Sequence, residues 1–163
     1  MGYQVFGDAD GKYRVANSIY ARKYFMRKIV AVSAGMLRPK KGDEGYRRAH
    51  RYLNYGLLSL ASLSPSRIPV YHGNFSSPEE FLRFNEEVIA SDIVLLSLPS
   101  FYALAWAKRF TNSLRLSNPN VEIHVGGRWV VDHNEALLRQ EMPFVNKFHR
   151  GLGEAKMLQF FRN

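Results

Sequence analysis

Four short segments of the chain carry residue types that can hold a ligand. Each follows an apolar run and is rich in glycine or serine: 33–45, 97–101, 126–129 and 150–154. Glycine allows a backbone to approach a flat ring or a phosphate closely, and a serine hydroxyl can both donate and accept hydrogen bonds. Such groups bind and orient a ligand, but they are not by themselves a catalytic apparatus.

The residue types that usually perform catalysis are not arranged for it in this sequence. The five histidines are scattered, and no two have the i, i+4 spacing of a helical metal site. The chain has no cysteine, which excludes thiolate metal sites and iron–sulfur clusters. A nucleophile elbow, a phosphate-binding P-loop and a dinucleotide-binding glycine motif are also absent from the sequence. We therefore predict no catalytic residue and no metal ligand.

The four segments would be positioned by an alternation of strands and helices. Apolar runs predict five strands: 28–33, 68–71, 92–97, 121–125 and 144–148. Helical patterns separate or follow them: 49–63, 77–89, 102–116, 133–141 and 154–161. This alternation predicts an α/β protein with a flavodoxin-like (Rossmann-like), doubly wound, five-stranded parallel sheet. Ligands of such sheets bind beyond the carboxyl ends of the strands, where the strand order reverses.

The first 27 residues stand outside this alternation. Apolar runs on either side of a turn at 7–11 predict a β-hairpin. Asp8 and Asp10 in that turn lack the rest of a calcium-binding loop, which favours a plain turn. We predict an N-terminal hairpin with a basic lead-in over 1–27 and an α/β domain over 28–163.

Composition places the chain among ordinary globular proteins. Its 163 residues are 46% hydrophobic and 23% charged, which suits one domain with a real core. No apolar run approaches the roughly 20 residues of a membrane helix, and the N-terminus lacks the pattern of a secretory signal. Together with the lack of cysteine, these features predict a cytoplasmic protein without a membrane partner.

The formal net charge of +9 is distributed unevenly. Ten of the 23 Lys and Arg residues fall in two early clusters: Arg22, Lys23, Arg27 and Lys28, then Arg38, Lys40, Lys41, Arg47, Arg48 and Arg51. Such clusters could attract nucleic acid or another anion. A solvated face with a basic loop is the simpler interpretation, and nucleic acid stays open as a partner.

Four motifs in order give the chain a resemblance to a known family. They are Gly-Leu-Leu-Ser-Leu-Ala at 56–61, a third strand that ends in Ser97, the glycine pair at 126–127 and Gly-Leu-Gly-Glu at 151–154. Over residues 28–161 the chain resembles the cobalamin-binding domain at the N-terminus of many radical S-adenosylmethionine (SAM) enzymes. The family's last motif is Gly-Glu-Gly-Glu, and Leu152 replaces its first acid here.

The resemblance implies a cobalamin site formed by the four segments. It assigns to cofactor binding Ser33, Ala34, Gly35, Met36, Leu37, Ser97, Pro99, Ser100, Gly126, Gly127, Arg128, Gly151, Gly153 and Glu154. In the family the nucleotide tail enters beside the glycine pair, and Ser97 would contact its benzimidazole. Many corrinoid methyltransferases carry a cobalt-ligating histidine in the first segment, whereas this segment has none. The resemblance therefore implies base-off binding without a histidine ligand, with Met36 or Leu37 against the lower face of the corrin.

The resemblance also implies a partner. Because the chain lacks cysteine, the iron–sulfur cluster and S-adenosylmethionine would belong to a radical SAM domain or protein, which would also hold the small-molecule or peptide substrate. In fused relatives that domain begins soon after the last motif, so we expect a domain boundary near the end of this chain. The implied function is a cobalamin-binding module of a radical SAM methyltransferase, with methyl transfer from methylcobalamin to a carbon or phosphorus centre.

A second hypothesis is a flavodoxin-like binding module for nucleic acid or a partner protein that has lost the corrinoid pocket. Leu152, the basic clusters and the hairpin favour it. An independent enzyme on this scaffold is a third hypothesis, but no catalytic constellation supports it. Fold alone does not decide among the three.

Overall fold

The computed structural model describes residues 5–7, 13–15, 27–37, 53–64, 67–74, 76–151, 153–154 and 156. At the N-terminus, β1 (Val5–Gly7) pairs antiparallel with β2 (Tyr13–Val15), so the predicted hairpin is present. The predicted division of the chain after residue 27 stays a prediction.

The rest of the described chain is built on one parallel sheet. Its strands are β3 (Ile29–Ser33), β4 (Val70–His72), β5 (Ile93–Ser97), β6 (Glu122–Gly126) and β7 (Lys147–Phe148). They lie in the order β4-β3-β5-β6-β7, and each neighbouring pair is parallel. Counted from β3, this is the flavodoxin-like order, which reverses between β3 and β5. The predicted α/β, flavodoxin-like fold is confirmed.

Helices cover both faces of the sheet. They are α1 (Tyr55–Ser62), α2 (Pro78–Phe84), α3 (Glu86–Ile89), α4 (Leu104–Ser117) and α5 (Glu135–Glu141). α1 covers one face with Leu57 and Ala61. α2, α4 and α5 cover the other face, where Trp106 stacks on Phe110 with 4.9 Å between ring centroids. β3 is buried along its whole length, as its apolar sequence requires.

Two strands begin two or three residues later than the sequence predicts. β4 begins at Val70 because Pro69 has no N–H for the ladder, although the Pro69 carbonyl accepts from the Ala31 N–H at 2.9 Å. β4 lies at the sheet edge, where a proline beside the strand is tolerated. β7 begins only at Lys147 because the Val145 N–H donates to the Met142 carbonyl, which closes a turn after α5.

Where the sequence contains a clear capping motif, the helix begins as that motif predicts. Pro78 occupies the first turn of α2, and Ser77 Oγ accepts from the Glu80 N–H at 3.2 Å. α1 begins at Tyr55, and the part of its predicted range at 49–52 lies outside the described residues, as does most of the helix predicted at 154–161. No helix among the described residues combines the length and apolar composition needed to span a membrane.

Candidate functional site

Four residues at the carboxyl edge of the sheet form one row. The strand register aligns Ser33 with His72 of β4 and with Ser97 of β5, and it aligns Ser97 with Gly126 of β6. The two serines stand on either side of the point where the strand order reverses. The sequence predicted Ser33, Ser97 and Gly126 at this edge, and the register places them side by side.

Asn54 joins this row to the start of α1. Its Oδ1 accepts from the Leu57 N–H at 3.0 Å and thereby caps the helix. Its Nδ2 donates to Ser97 Oγ at 3.0 Å and to Ser33 Oγ at 3.2 Å. We call Asn54, Ser33, Ser97 and His72 the switch-point network. Sequence reasoning missed Asn54, although asparagine before an apolar helix is a recognised cap signal.

His72 holds the same asparagine by its backbone. The Asn54 N–H donates to His72 Nε2 at 2.9 Å, so this ring nitrogen carries no proton in the network. Burial lowers the pKa of His72 below its ordinary value, which favours the neutral ring that this contact requires. One residue thus connects the ends of β3, β4 and β5 with the first turn of α1.

The first predicted segment packs largely into the protein. Ala34 and Gly35 are buried, and Met36 and Leu37 are half-buried. The Ala34 N–H donates to the Ser97 carbonyl at 3.0 Å, which ties the segment to β5. A Cβ on Gly35 would lie 2.8 Å from Trp106 Nε1, so the fold itself requires glycine there.

Gly127, which directly follows β6, has the same kind of explanation. Gly127 has φ of 112°, and a Cβ there would lie 2.6 Å from the Leu98 carbonyl oxygen. The chain then turns back, and the Trp129 N–H donates to that carbonyl at 3.2 Å. Gly126 ends β6, and a Cβ there would lie 3.6 Å from His149 Cβ, an ordinary contact distance, so the fold does not require glycine at this position. Arg128 is exposed.

The remaining predicted residues lie in two places. Pro99 and Ser100 are half-buried after β5, and the Ser100 carbonyl accepts from the Ala103 N–H at 3.2 Å. In the last segment, Gly151 and Glu154 are exposed. Gly153 lies against α1, where a Cβ would come within 2.7 Å of Leu60 Cδ1.

An exposed cluster of aromatic side chains follows β5 and β6 at the same edge. Phe101 and Tyr102 are 60% and 76% exposed, which is high for large apolar side chains. The Phe101 ring lies 5.5 Å from that of Trp129 and 6.2 Å from that of Tyr102, centroid to centroid. We call these three residues the aromatic rim. Their edge-to-face contacts leave ring surface available to a ligand.

A second polar cluster, missed by the sequence, lies on the α1 face of β6 and β7. Arg27 Nη2 donates to Glu122 Oε2 at 2.8 Å, and His124 Nε2 donates to Glu122 Oε1 at 2.7 Å. His124 Nδ1 in turn lies 3.0 Å from His149 Nε2. We call these four residues the histidine chain. Because side chains alternate between the two faces of a strand, the sequence alone could place residues 122 and 124 on the same face of β6. The contact between His124 and His149 follows only from the pairing of β6 with β7.

The histidine chain shifts two pKa values. Burial raises the pKa of Glu122, but His124 and Arg27 outweigh it and hold that pKa below its ordinary value. Burial, helped by positive charge at His124, Lys147 and Lys156, lowers the pKa of His149 to about 4. At neutral pH His149 is therefore uncharged, and one proton is shared in the contact between its Nε2 and His124 Nδ1.

A groove of about 540 Å³ lies at the opposite edge of the sheet. It runs between the end of α1 and the segment that leads into β4, and its walls include Leu58, Ala61, Ile68, Pro69 and Val70. Its lining is mainly apolar and contains none of the predicted site residues.

The chain resembles several solved structures in fold. A novel cobalamin-binding protein from Desulfitobacterium hafniense DCB-2 aligns with a TM-score of 0.49 and 16% identity, over 83% of this chain and 60% of that one. The monomethylamine corrinoid protein of Methanosarcina barkeri aligns with a TM-score of 0.48 and 10% identity, over 87% of this chain and 64% of that one. The TrkA-N domain of inner membrane protein ybaL from Escherichia coli aligns with a TM-score of 0.43 and 16% identity, over 83% of this chain and 96% of that one.

No family model and no curated protein matches the chain. The chain spans less than two thirds of the two corrinoid-related structures named above. Its own strand order and register establish the fold.

The residues at the carboxyl edge suit a cobalamin in two respects. Ser97 is half-buried and offers a hydroxyl at the switch point, and Phe101 and Tyr102 expose apolar ring faces in the segment that follows. Met36 and Leu37 are half-buried and apolar, which is what contact with a flat macrocycle requires. The donor set thus fits a ligand with one polar insertion point and a broad apolar surface.

Proposed function

We propose that this protein binds a cobalamin at the carboxyl edge of its sheet and serves as the cobalamin-binding module of a radical SAM methyltransferase. One observation carries the proposal: a half-buried serine hydroxyl stands at the switch point and is oriented by Asn54. In open α/β sheets this is the position where ligands bind. The motif order of the sequence supplies the identity of the ligand.

The aromatic rim supports a ligand with a large apolar surface. A contiguous patch of exposed aromatic side chains is typical of a binding surface. Phe101 and Trp129 follow β5 and β6, the strands that carry Ser97 and Gly126. A macrocycle lying across these strand ends would cover the rim while its tail enters beside Ser97 and the glycine pair.

Base-off binding without a histidine ligand is part of the proposal. Nε2 of His72 accepts from the Asn54 N–H, and Nε2 of His149 contacts His124, so each of these nitrogens already has a partner. In the first segment residues 33–37 include no histidine, and Met36 and Leu37 present apolar side chains. These features support a cobalt centre shielded by apolar groups.

The chain's own residues would bind and orient the cofactor. Ser97 would hold the nucleotide tail, and Met36, Leu37 and the aromatic rim would exclude water from the macrocycle. A bound cobalamin supplies methyl-transfer chemistry. The iron–sulfur cluster, S-adenosylmethionine and the methyl acceptor would belong to the partner, since the sequence has no cysteine to hold a cluster.

The test is retention of hydroxocobalamin after desalting, followed by titration in the visible spectrum. The wild-type protein should retain a corrin band of base-off shape. Ser97→Ala should weaken binding about five- to tenfold, the effect of one lost hydrogen bond. Ser117→Ala is the matched control, because Ser117 is exposed at the end of α4, at the opposite edge. Colourless wild-type protein at micromolar concentration would contradict the proposal.

A second candidate function rests on charge. Residues 1–51 contain twelve Lys and Arg against four Asp and Glu, so they carry nearly all of the net charge of +9. Such an excess favours a nucleic acid or another polyanion as partner. Binding to single- or double-stranded DNA that falls steeply with salt, together with failure to retain hydroxocobalamin, would select this function over the first.

A further inference from the structure

We propose that the free edge of β4, together with the groove beside it, binds an extended acidic segment of a partner protein, which adds to the sheet as a further strand. The groove is the one of about 540 Å³ between the end of α1 and the segment that leads into β4, and we call it the edge groove. None of the described residues that line it belongs to the predicted cofactor site, so the inference does not rest on cobalamin binding.

β4 uses only half of its backbone hydrogen-bonding groups within the sheet. It is the outermost strand on its side and pairs only with β3 among the described strands. The Ala31 N–H donates to the Pro69 carbonyl at 2.9 Å, so residue 69, and every second residue after it, turns its backbone groups towards β3. The N–H and C=O groups of Val70 and His72 therefore point towards the free edge. Such unpaired groups can bind the backbone of another strand.

The edge groove offers apolar walls on one face of this free edge. Val70 lies on the face of the sheet that α1 covers, beside buried Ile68, and Leu58 and Ala61 of α1 form the facing wall. A strand added about 4.8 Å from β4 would direct every second side chain to that face. Apolar side chains at alternate positions would thus enter the edge groove, while the backbone pairs with β4. Extended peptides bind exposed sheet edges in this way, and the pockets for alternate side chains give specificity.

Charge selects an acidic partner segment. Arg67 is exposed and is the one charged residue among the described residues that line the edge groove. A second copy of the chain is a poor occupant, because two molecules of net charge +9 repel each other. A nucleic acid would be attracted by Arg67, but it has no peptide backbone to pair with Val70. An extended acidic peptide satisfies the backbone, the apolar walls and the charge together.

Three capped nonapeptides test the proposal on the full chain at physiological salt. The first is Glu-Asp-Ile-Thr-Val-Thr-Ile-Asp-Glu, the second is the same peptide N-methylated at its five central residues, and the third has lysine in place of each acid. In amide NMR spectra, the first should shift the resonances of Val70 and His72. The other two should bind at least about tenfold more weakly, since they lack the backbone donors or the charge.

Two charge reversals test the role of Arg67. Arg67→Glu should weaken binding of the acidic peptide about five- to tenfold, because attraction becomes repulsion. Lys147→Glu is the matched control, since it makes the same change of charge at an exposed position of β7, the strand at the other edge of the sheet. It should change the affinity by less than about twofold.

A pair of substitutions on α1 tests the groove without changing charge. Ser62 lines the edge groove, and Ser62→Trp should fill part of it and weaken binding at least about tenfold. Ser59→Trp is the control, because Ser59 is exposed on the same helix and does not line the groove.

Four outcomes would overturn the inference. They are no shift with the acidic peptide at millimolar concentration, equal binding of the N-methylated peptide, equal effects of each variant and its control, and self-association that shifts Val70 and His72 without any peptide. The cobalamin proposal is judged separately, by whether wild-type protein retains hydroxocobalamin.

Discussion

The switch-point network and the histidine chain are both polar clusters on parallel strands. They differ in whether they leave a hydrogen-bonding group available to a ligand. The switch-point network consists of neutral groups, and it lies where Ser97 is partly open to solvent. Its serine hydroxyls accept from Asn54 and keep their own protons. A neutral donor of this kind can exchange water for a ligand at little cost.

The histidine chain is built from groups that titrate. Glu122 accepts from both Arg27 and His124, and His124 contacts His149 as well. His124 is only 5% exposed, and removing any partner would leave a buried polar atom or a charge without compensation. The comparison indicates that the histidine chain, with its two histidines and its carboxylate, stabilises the sheet. The neutral switch-point network is the one suited to bind a ligand.

The largest expected effect comes from breaking the histidine chain at its carboxylate. Glu122→Ala should lower the free energy of unfolding by about 2–3 kcal/mol, because buried His124 loses the acceptor for its Nε2–H. Urea denaturation measures it. Glu79→Ala removes an exposed ion pair with Arg109 and should cost less than about 1 kcal/mol. Similar losses of unfolding free energy in the two variants would contradict the conclusion that the histidine chain stabilises the sheet more than an exposed ion pair does.

The next effect is a loss of stability in acid. The pKa of His149 falls from 6.5 to about 4 in the folded protein, so the unfolded chain binds more protons between these values. Stability should therefore be full above pH 6.5 and fall as the pH drops towards 4. Allowing for the solvent that reaches the ring, this group contributes about 1–2 kcal/mol. His149→Phe should flatten that part of the curve, while an unchanged curve would show that His149 does not titrate as described.

The smallest effect concerns the switch-point network. Asn54→Ser keeps a helix cap but loses the amide bonds to Ser33 and Ser97, so it should cost only about 1 kcal/mol of stability. Urea denaturation of this variant beside Glu122→Ala compares the two networks directly. A larger cost for Asn54→Ser than for Glu122→Ala would reverse the comparison.

The sequence was a good guide to the sheet because its signals are local. Five apolar runs predicted the five strands of the parallel sheet along the chain, and Ser77-Pro78 marked the start of a helix within one residue. The predicted strand at 144–148 was too long because a tertiary turn, closed by the Met142 carbonyl, delays its start. Such a turn depends on where α5 sits and has no local signal.

The candidate site was less accessible to sequence reasoning. Ser33 and Ser97 were predicted from their positions after strands, but Asn54 is separated from them by 21 and 43 residues. His124 and His149 looked unrelated because 25 residues separate them, and only the pairing of β6 with β7 brings them together. Gly127 was predicted to face a ligand, and its close approach to Leu98 explains it without one.

Hydrogen–deuterium exchange with and without hydroxocobalamin tests the central claim most directly, because protection reports which backbone a ligand covers. Binding at the carboxyl edge should slow exchange at the ends of β3 and β5, at the first turn of α1 and after β6. The groove beside Pro69 and the start of β6 should exchange as before. Protection confined to that groove, or none at all, would contradict the account.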